Sequence, residues 1–324
     1  MIRYHSLQKN SNRVADGFMK RLLIYFAYDE NGILDDYIYF AIDKLQPFVA
    51  AIVAVINGKL MPQCKTELEK RVDSVIVRDN HGFDVWAYKT AIDSIGWNGL
   101  MEYDEIILMN HTIMGPIYDL APMFQKMEQR DLDFWGITKC FEEKEPSAVK
   151  LWKNPYGYIP EHIQSSFTVF RKRLFSSKAF HKLWDNMPEI KSYYESGGTY
   201  EQVITKKFSD LGYKWDCYTD YSSLDPEVFT CCPLITAPLV VVRDLKSPFF
   251  KRRSFFTSKS EFPTLVPSVY AFWRFLQSTN YDTQLVIKNL VRTCNQRDIV
   301  ESLLMMHVIN VTQSPVKSHE EGKS

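Results

Sequence analysis

Three polar residues, Asn110, His111 and Thr112, close the apolar run Ile106-Ile107-Leu108-Met109 and are followed by Gly115-Pro116. An amide, an imidazole and a hydroxyl in a row suit a metal ion, or hydrogen bonds to a sugar and a diphosphate. The plain alternative for a lone histidine is a satisfied loop side chain. Asp29 lies in the polar stretch Tyr28 to Asp36, where its carboxylate suits a ribose hydroxyl, whereas Asp35 and Asp36 read as the acidic start of a helix. In Asn80-His-Gly-Phe-Asp-Val-Trp-Ala-Tyr-Lys89, Gly82 lets backbone approach a ligand. Asp84 caps a helix or binds ribose, and Lys89 follows along that helix; capping alone explains the block as well.

Further groups recur at the ends of other apolar runs. Glu161-His-Ile-Gln-Ser-Ser166 offers His162, Gln164 and Ser165 to sugar hydroxyls. Glu201 opens a helix, as a partner for its dipole or as a general base, with His162 second for that role. Lys251, Arg252 and Arg253 are consecutive cations that suit a diphosphate, although runs of charge are usually just solvated. Asp131-Leu-Asp133 spells the D-x-D of many metal-binding sites. It precedes its apolar run instead of ending it, which puts it on the wrong edge of a sheet.

Those positions make sense only if particular elements carry them. Short, unalternating apolar runs at 21–27, 49–56, 74–78 and 105–109 read as strands buried on both faces. Helical spacing separates them at 37–45, 64–72, 85–95 and 118–130. This alternation predicts a Rossmann-type, mostly parallel sheet flanked by helices, with ligands beyond the carboxyl ends of the strands. No GxGxxG or GxxxxGK[ST] occurs, which argues against a dinucleotide fingerprint or a Walker loop. After a strand at 133–138 the pattern becomes mixed. A long polar loop at 140–160 leads to a strand at 165–171, helices near 176–187 and 199–211, and short strands near 213–219 and 238–243. A helical segment follows at 262–308, with Leu285, Ile287, Leu290 and Val291 on one face. The expected organisation is a flexible N-terminus (1–18), a main domain (19–261) with halves at 19–138 and 139–261, C-terminal helices (262–310) and a disordered tail (311–324).

Composition narrows the class. The chain has 324 residues, with 45% hydrophobic and 24% charged side chains, as in a globular protein. Its 39 basic and 39 acidic residues cancel, so no global field draws it to nucleic acid. Six scattered cysteines without a CxxC suit reduced thiols and a cytoplasmic setting. No run approaches the roughly 18 apolar residues of a spanning helix.

Several blocks together resemble one family. HGFDVWAYK (81–89), YDEIILMNHTIMGPIY (103–118), RDLDFWGIT (130–138), YGYIPEHIQSSFTVFRK (156–172), EQVITKKFSDLGYKWDCY (201–218), FFKRRSFF (249–256) and YDTQLVIKNLVRT (281–293) are similar, in order and spacing, to the rhamnan synthesis F family of bacterial polysaccharide glycosyltransferases. The resemblance implies a GT-A-like fold, a nucleotide-diphosphate sugar donor such as dTDP-rhamnose, and a growing cell-surface glycan or lipid-linked glycan as acceptor. It also implies peripheral association with the inner face of the cell membrane and other polysaccharide-synthesis enzymes as partners. Under it, Asp29, Gly82, Asp84, Lys89, Asn110, His111, Thr112, Lys251, Arg252 and Arg253 would bind donor. His162, Gln164 and Ser165 would bind acceptor, and Glu201 would act as base in an inverting transfer. The family often has Asn-Asp-Ser or Asn-Asp-Thr where this chain has Asn110-His111-Thr112, so a Mg²⁺ or Mn²⁺ requirement is an open question. The rival readings are another hexosyltransferase of capsule or teichoic acid synthesis and a non-catalytic glycan- or nucleotide-binding partner.

Overall fold

Apolar runs too short for helices and bounded by polar turns become the middle of one sheet. The computed structural model describes residues 19–144, 154–225, 232–255 and 266–294. The segments 1–18 and 311–324, expected to be loose, lie outside the described residues. The strands are β1 (Arg21–Tyr28), β2 (Ala51–Asn57), β3 (Ser74–Arg78), β4 (Glu105–Asn110), β5 (Ile113–Met114), β6 (Phe134–Gly136), β7 (Lys139–Cys140), β8 (His162–Ile163), β9 (Phe167–Arg171), β10 (Trp215–Cys217) and β11 (Phe250–Lys251). Seven form the central sheet in the order β10-β6-β9-β4-β1-β2-β3, while β11 pairs with β5 and β7 with β8. Every residue of β2 and β4 is buried, as is every residue of β1 except Tyr28.

The helices that flank the sheet are α1 (Asp36–Leu45), α2 (Pro62–Glu69), α3 (Phe83–Leu100), α4 (Ala121–Glu128), α5 (Lys178–Asp185), α6 (Gln202–Ser209), α7 (Val266–Gln277) and α8 (Gln284–Thr293). Alternate strand residues point to opposite faces. Leu23, Tyr25, Ile52 and Ile107 therefore pack with α1, α2, α4, α7 and α8. Leu22, Ile24, Val53 and Ile106 pack with α3, α5 and α6. Each fully buried aliphatic side chain of this kind contributes roughly 1.5–3 kcal/mol.

The order of strands fixes where a ligand can sit. The chain runs β1, β2, β3 toward one edge and then returns to place β4 on the other side of β1, parallel to it. A crevice opens at such a switch point, beyond the carboxyl ends of the strands. Phe26 and Asn110 are register partners at that edge. Strand β9 runs antiparallel to β4 and β6, so its beginning, next to Ser165 and Ser166, meets the ends of its neighbours.

Two expectations are corrected. The apolar run at 238–243 is not a strand: Val240–Asp244 is a π-helical turn with Val241 and Val242 fully buried, so packing overrides the β-branched preference. The segment 262–308 is, within the described residues, two helices separated at 278–283. Val291 was placed on their apolar face, yet it is 54% exposed, and Leu285, Val286, Asn289 and Leu290 form the buried side of α8. The five described cysteines, Cys64, Cys140, Cys217, Cys232 and Cys294, are all free thiols. Among the described residues no helix is long and apolar enough to cross a membrane.

Candidate active site

A cavity of about 480 Å³ opens at the β1/β4 crevice. Asn110, the last residue of β4 and 4% exposed, organises its floor. Its Oδ1 accepts from the Thr112 amide at 3.2 Å and the Thr112 hydroxyl at 2.6 Å, an Asx-type turn that ends the strand. Its Nδ2 donates to Asp84 Oδ2 at 2.9 Å. The cations arrive through a second pairing. Lys251 is opposite Ile113 in the β5–β11 ribbon, the Arg252 amide donates to the Thr112 carbonyl at 2.9 Å, and Lys251 Nζ donates to Thr112 Oγ1 at 3.1 Å. Gly115 permits this approach, because a Cβ there would lie 2.6 Å from the Pro248 carbonyl oxygen.

The carboxylates come from the other side. Gly82 adopts φ 68° before α3, and a Cβ there would fall 2.4 Å from the Trp86 side chain, so a larger residue is refused. Asp84, half-buried in the first turn of α3, accepts from the Val85 amide at 3.0 Å as well as from Asn110. Burial pushes its pKa up to about 6, the nearby charge of Glu201 adds to the rise, and the Asn110 hydrogen bond opposes it. Glu201 ends a π-helical turn, Gly197–Glu201, that joins the short helix Tyr193–Ser196 to α6. Turns of that type are frequent at functional sites. Glu201 Oε1 accepts from the Ser165 amide at 3.3 Å.

His111 is held differently from its two neighbours. Its amide donates to the Phe26 carbonyl at 3.0 Å, its own carbonyl accepts from Tyr37 Oη at 2.8 Å, and its ring meets Phe26 edge-on at 5.6 Å. Its Nδ1 is buried without a hydrogen-bond partner. Burial, followed by the positive charge of Arg252, lowers its pKa to about 3, so the imidazole is neutral.

The cavity thus gathers Asp84, Asn110, His111, Thr112, Ser165, Glu201, Lys251, Arg252 and Arg253. The other nominated residues lie elsewhere. Asp29 accepts from the Asn31 and Ile33 amides, both at 3.0 Å, and pairs with Arg292 of α8 at 2.7 Å, so its oxygens are engaged away from the cavity. Lys89 pairs with Asp93 one turn on at 3.1 Å, and Gly82 shapes the helix start without lining the site. His162 is buried in β8 with Nδ1 2.7 Å from the Pro160 carbonyl. Gln164 is buried between the Thr138 hydroxyl, at 2.7 Å, and the Cys232 sulfur. Neither reaches the cavity wall. Asp133 sits, as its place before β6 implies, at the opposite edge of the sheet, bound by Arg173 and by the Lys214 amide at 2.7 Å. Tyr28, Phe83 and Tyr193 line the mouth at 38%, 38% and 56% exposure; the first two fall in the stretches 27–29 and 79–84 that the sequence assigns to the donor, and Tyr193 lies outside every stretch it singles out. The only hint was the Tyr193-Tyr194 doublet in a polar stretch.

The donor set does not fit a preformed site for a hard divalent cation, which favours several oxygen ligands. Both oxygens of Asp84 already accept hydrogen bonds, and position 111 supplies a buried imidazole. Among the described residues no three His, Cys, Asp or Glu side chains converge.

Fold and site together define a Rossmann-type α/β protein with carboxylates and cations lining one cavity at the topological switch point. The chain belongs to the rhamnan synthesis protein F family, whose model matches residues 52–322. It is 22% identical over 217 residues to the uncharacterized protein y4gN of Sinorhizobium fredii (strain NBRC 101917 / NGR234), covering 65% of this chain and 52% of that protein. The chain therefore spans about half the length of the curated relative it matches. Among solved structures it is similar to the mannosyltransferase Ktr4p of S. cerevisiae, with 13% identity, a TM-score of 0.35, and coverage of 62% of this chain and 67% of that one. It is also similar to glucosyl-3-phosphoglycerate synthase of Mycobacterium tuberculosis, with 12% identity, a TM-score of 0.33, and coverage of 54% and 61%. Likeness at this level bears on neither substrate nor mechanism.

Proposed function

We propose that this chain is a GT-A-like glycosyltransferase that moves a sugar, rhamnose foremost, from a nucleotide-diphosphate donor such as dTDP-rhamnose to a growing cell-surface polysaccharide. Membership of the rhamnan synthesis family supports the broad class. The observation that carries the reading is the gathering, within one cavity, of Glu201 and Asp84 with Lys251, Arg252 and Arg253. Such an arrangement suits a reaction that takes a proton at a carboxylate and releases a dianionic group beside the cations.

In the reaction, the acceptor hydroxyl oxygen attacks the anomeric carbon and gives its proton to Glu201. The bond from that carbon to the donor's β-phosphate oxygen breaks, and the nucleotide diphosphate leaves with the electron pair, with inversion. Charge developing on the leaving group is met by the three cations and the Thr112 hydroxyl in a partly dry site, where such stabilisation is strongest. Asn110 ties the two sets together through Asp84 and Thr112. No step is routed through a metal ion.

A panel of dTDP-, UDP- and GDP-sugars, read by nucleotide release with and without Mg²⁺ or Mn²⁺, tests the reading. Release from dTDP-rhamnose above all others, with activity surviving chelation, is expected. Binding of dTDP without release or transfer under any condition would replace an enzyme with a nucleotide-binding partner. The buried imidazole at position 111 is the feature favouring that second reading.

A further inference from the structure

The mouth of the cavity carries aromatic surface that the transfer chemistry does not use. Tyr193 is 56% exposed and lines the cavity, and Tyr194 beside it is 41% exposed. Their rings meet edge-to-face, with centroids 5.9 Å apart and planes at 67°. Large aromatics in a core are buried, so a pair left open at the mouth of a cavity marks a place where something apolar and flat is meant to lie. A pyranose ring offers such a surface on its C–H face, while its hydroxyls stay in water.

Connectivity decides which substrate the pair would meet. Tyr193 opens the helical run that continues through Ser196 and Gly197 to Glu201, and all four line the cavity. Burial pushes the phenol of Tyr193 up to about 12, with the charge of Glu201 adding to the rise and that of Arg253 opposing it. Tyr28 and Phe83, by contrast, stand at the β1 and α3 side of the mouth. Glu201 lies eight positions beyond Tyr193 along this run, at most roughly 12 Å of backbone at the α-helical rise, and somewhat less because Gly197–Glu201 is a π-helical turn. That distance is greater than the width of one sugar ring.

We propose that Tyr193 and Tyr194 form a stacking subsite for an inner sugar of an oligosaccharide acceptor, whose terminal hydroxyl reaches Glu201. The inference rests on the glycosyltransferase reading. It makes the chain an elongating enzyme that favours acceptors of at least two or three sugars over a single one.

The test compares an α-linked L-rhamnose trisaccharide with methyl rhamnoside as acceptors, using dTDP-rhamnose, in the full chain and in Tyr193→Phe and Tyr193→Ala/Tyr194→Ala. Calorimetry of dTDP and of the trisaccharide alone accompanies the kinetics. In the full chain the trisaccharide should have the lower KM. The double alanine variant should lose about tenfold of that advantage, with the Kd for dTDP moving far less, and Tyr193→Phe should keep it. An unchanged KM ratio, or equal weakening of dTDP and trisaccharide, overturns the proposal; the second result would give the pair to the nucleobase. Absence of trisaccharide binding in the full chain also overturns it. Trisaccharide binding without turnover of dTDP-rhamnose would sink the transferase reading and leave the subsite standing.

Discussion

The two edges of the central sheet both gather charged side chains and use them in opposite ways. At the edge where β1 and β4 begin, Arg21 and Glu105 are each 1% exposed. Glu105 Oε2 accepts from Arg21 Nε at 2.7 Å, and its Oε1 accepts from Arg171 Nε at 2.9 Å and Trp135 Nε1 at 3.3 Å. Arg21 also reaches Glu128 and the Phe48 carbonyl. Every charge there is answered by another side chain. At the edge where the same strands end, His111 Nδ1 has no partner, Asp84 is held well above the ordinary carboxylate range, and two carboxylates and three cations line one cavity. Charge alone does not mark a site. What separates the two edges is placement: at the first the charges are closed into ion pairs inside the protein, and at the second they line a cavity.

The sharpest way to break this contrast is at Glu201. Glu201→Gln keeps the amide acceptor for Ser165 and removes the base, so transfer should fall about 10²–10⁴-fold while donor binding by calorimetry persists. Near-normal turnover would leave the acidic wall without its assigned role. At the opposite edge, Glu105→Ala strands Arg21 and Arg171, and urea unfolding should show a loss of about 3–5 kcal/mol. A loss under 1 kcal/mol would mean that the network is not the structural anchor described.

Smaller effects separate the edges by pH. Asp84 binds its proton more tightly folded than unfolded, so its ionisation works against the fold. Stability should therefore decline as pH rises from roughly 4 to about 6, and Asp84→Asn should flatten that part of the urea-unfolding profile. A profile identical in the variant would refute the strained carboxylate. His111 has the opposite sign: its folded pKa is depressed to about 3, so its contribution is lost as pH falls from about 6.5. Histidine ring NMR should find it neutral throughout the mildly acidic range, and a midpoint near 6 would refute its dry environment.

The sequence discloses these edges unevenly. Strands β1 to β4 are legible because runs such as Ile106 to Met109 are short, apolar on both faces and closed by polar residues. Asn110 to Thr112, Ser165, Glu201 and Lys251 to Arg253 are legible for the same reason, since each follows or opens such an element. Asp29 and Lys89 look equally polar in sequence, but their capacity is consumed, in the first case by Arg292, 263 positions away along the chain. His162 and Gln164 occupy a strand and the turn after it, where β7 and Cys232 cover them. Long-range pairing of that kind leaves no local pattern. Tyr193 fails in the other direction, because an exposed aromatic and a core aromatic are the same letter until the packing is known.

Strand β9 has a consequence for how such a protein can change. Strands β1 and β4 deliver residues to the cavity where they stop, and β9, antiparallel to β4, does so where it starts. A longer or shorter connection between β7 and β8 would displace Ser165 and its contact with Glu201, yet leave Asn110, Asp84 and the cations anchored by their own strands and turns. The cavity is thereby divided into a half that is inherited with the sheet and a half that can be re-cut by loop length. Variation in one half need not disturb the other.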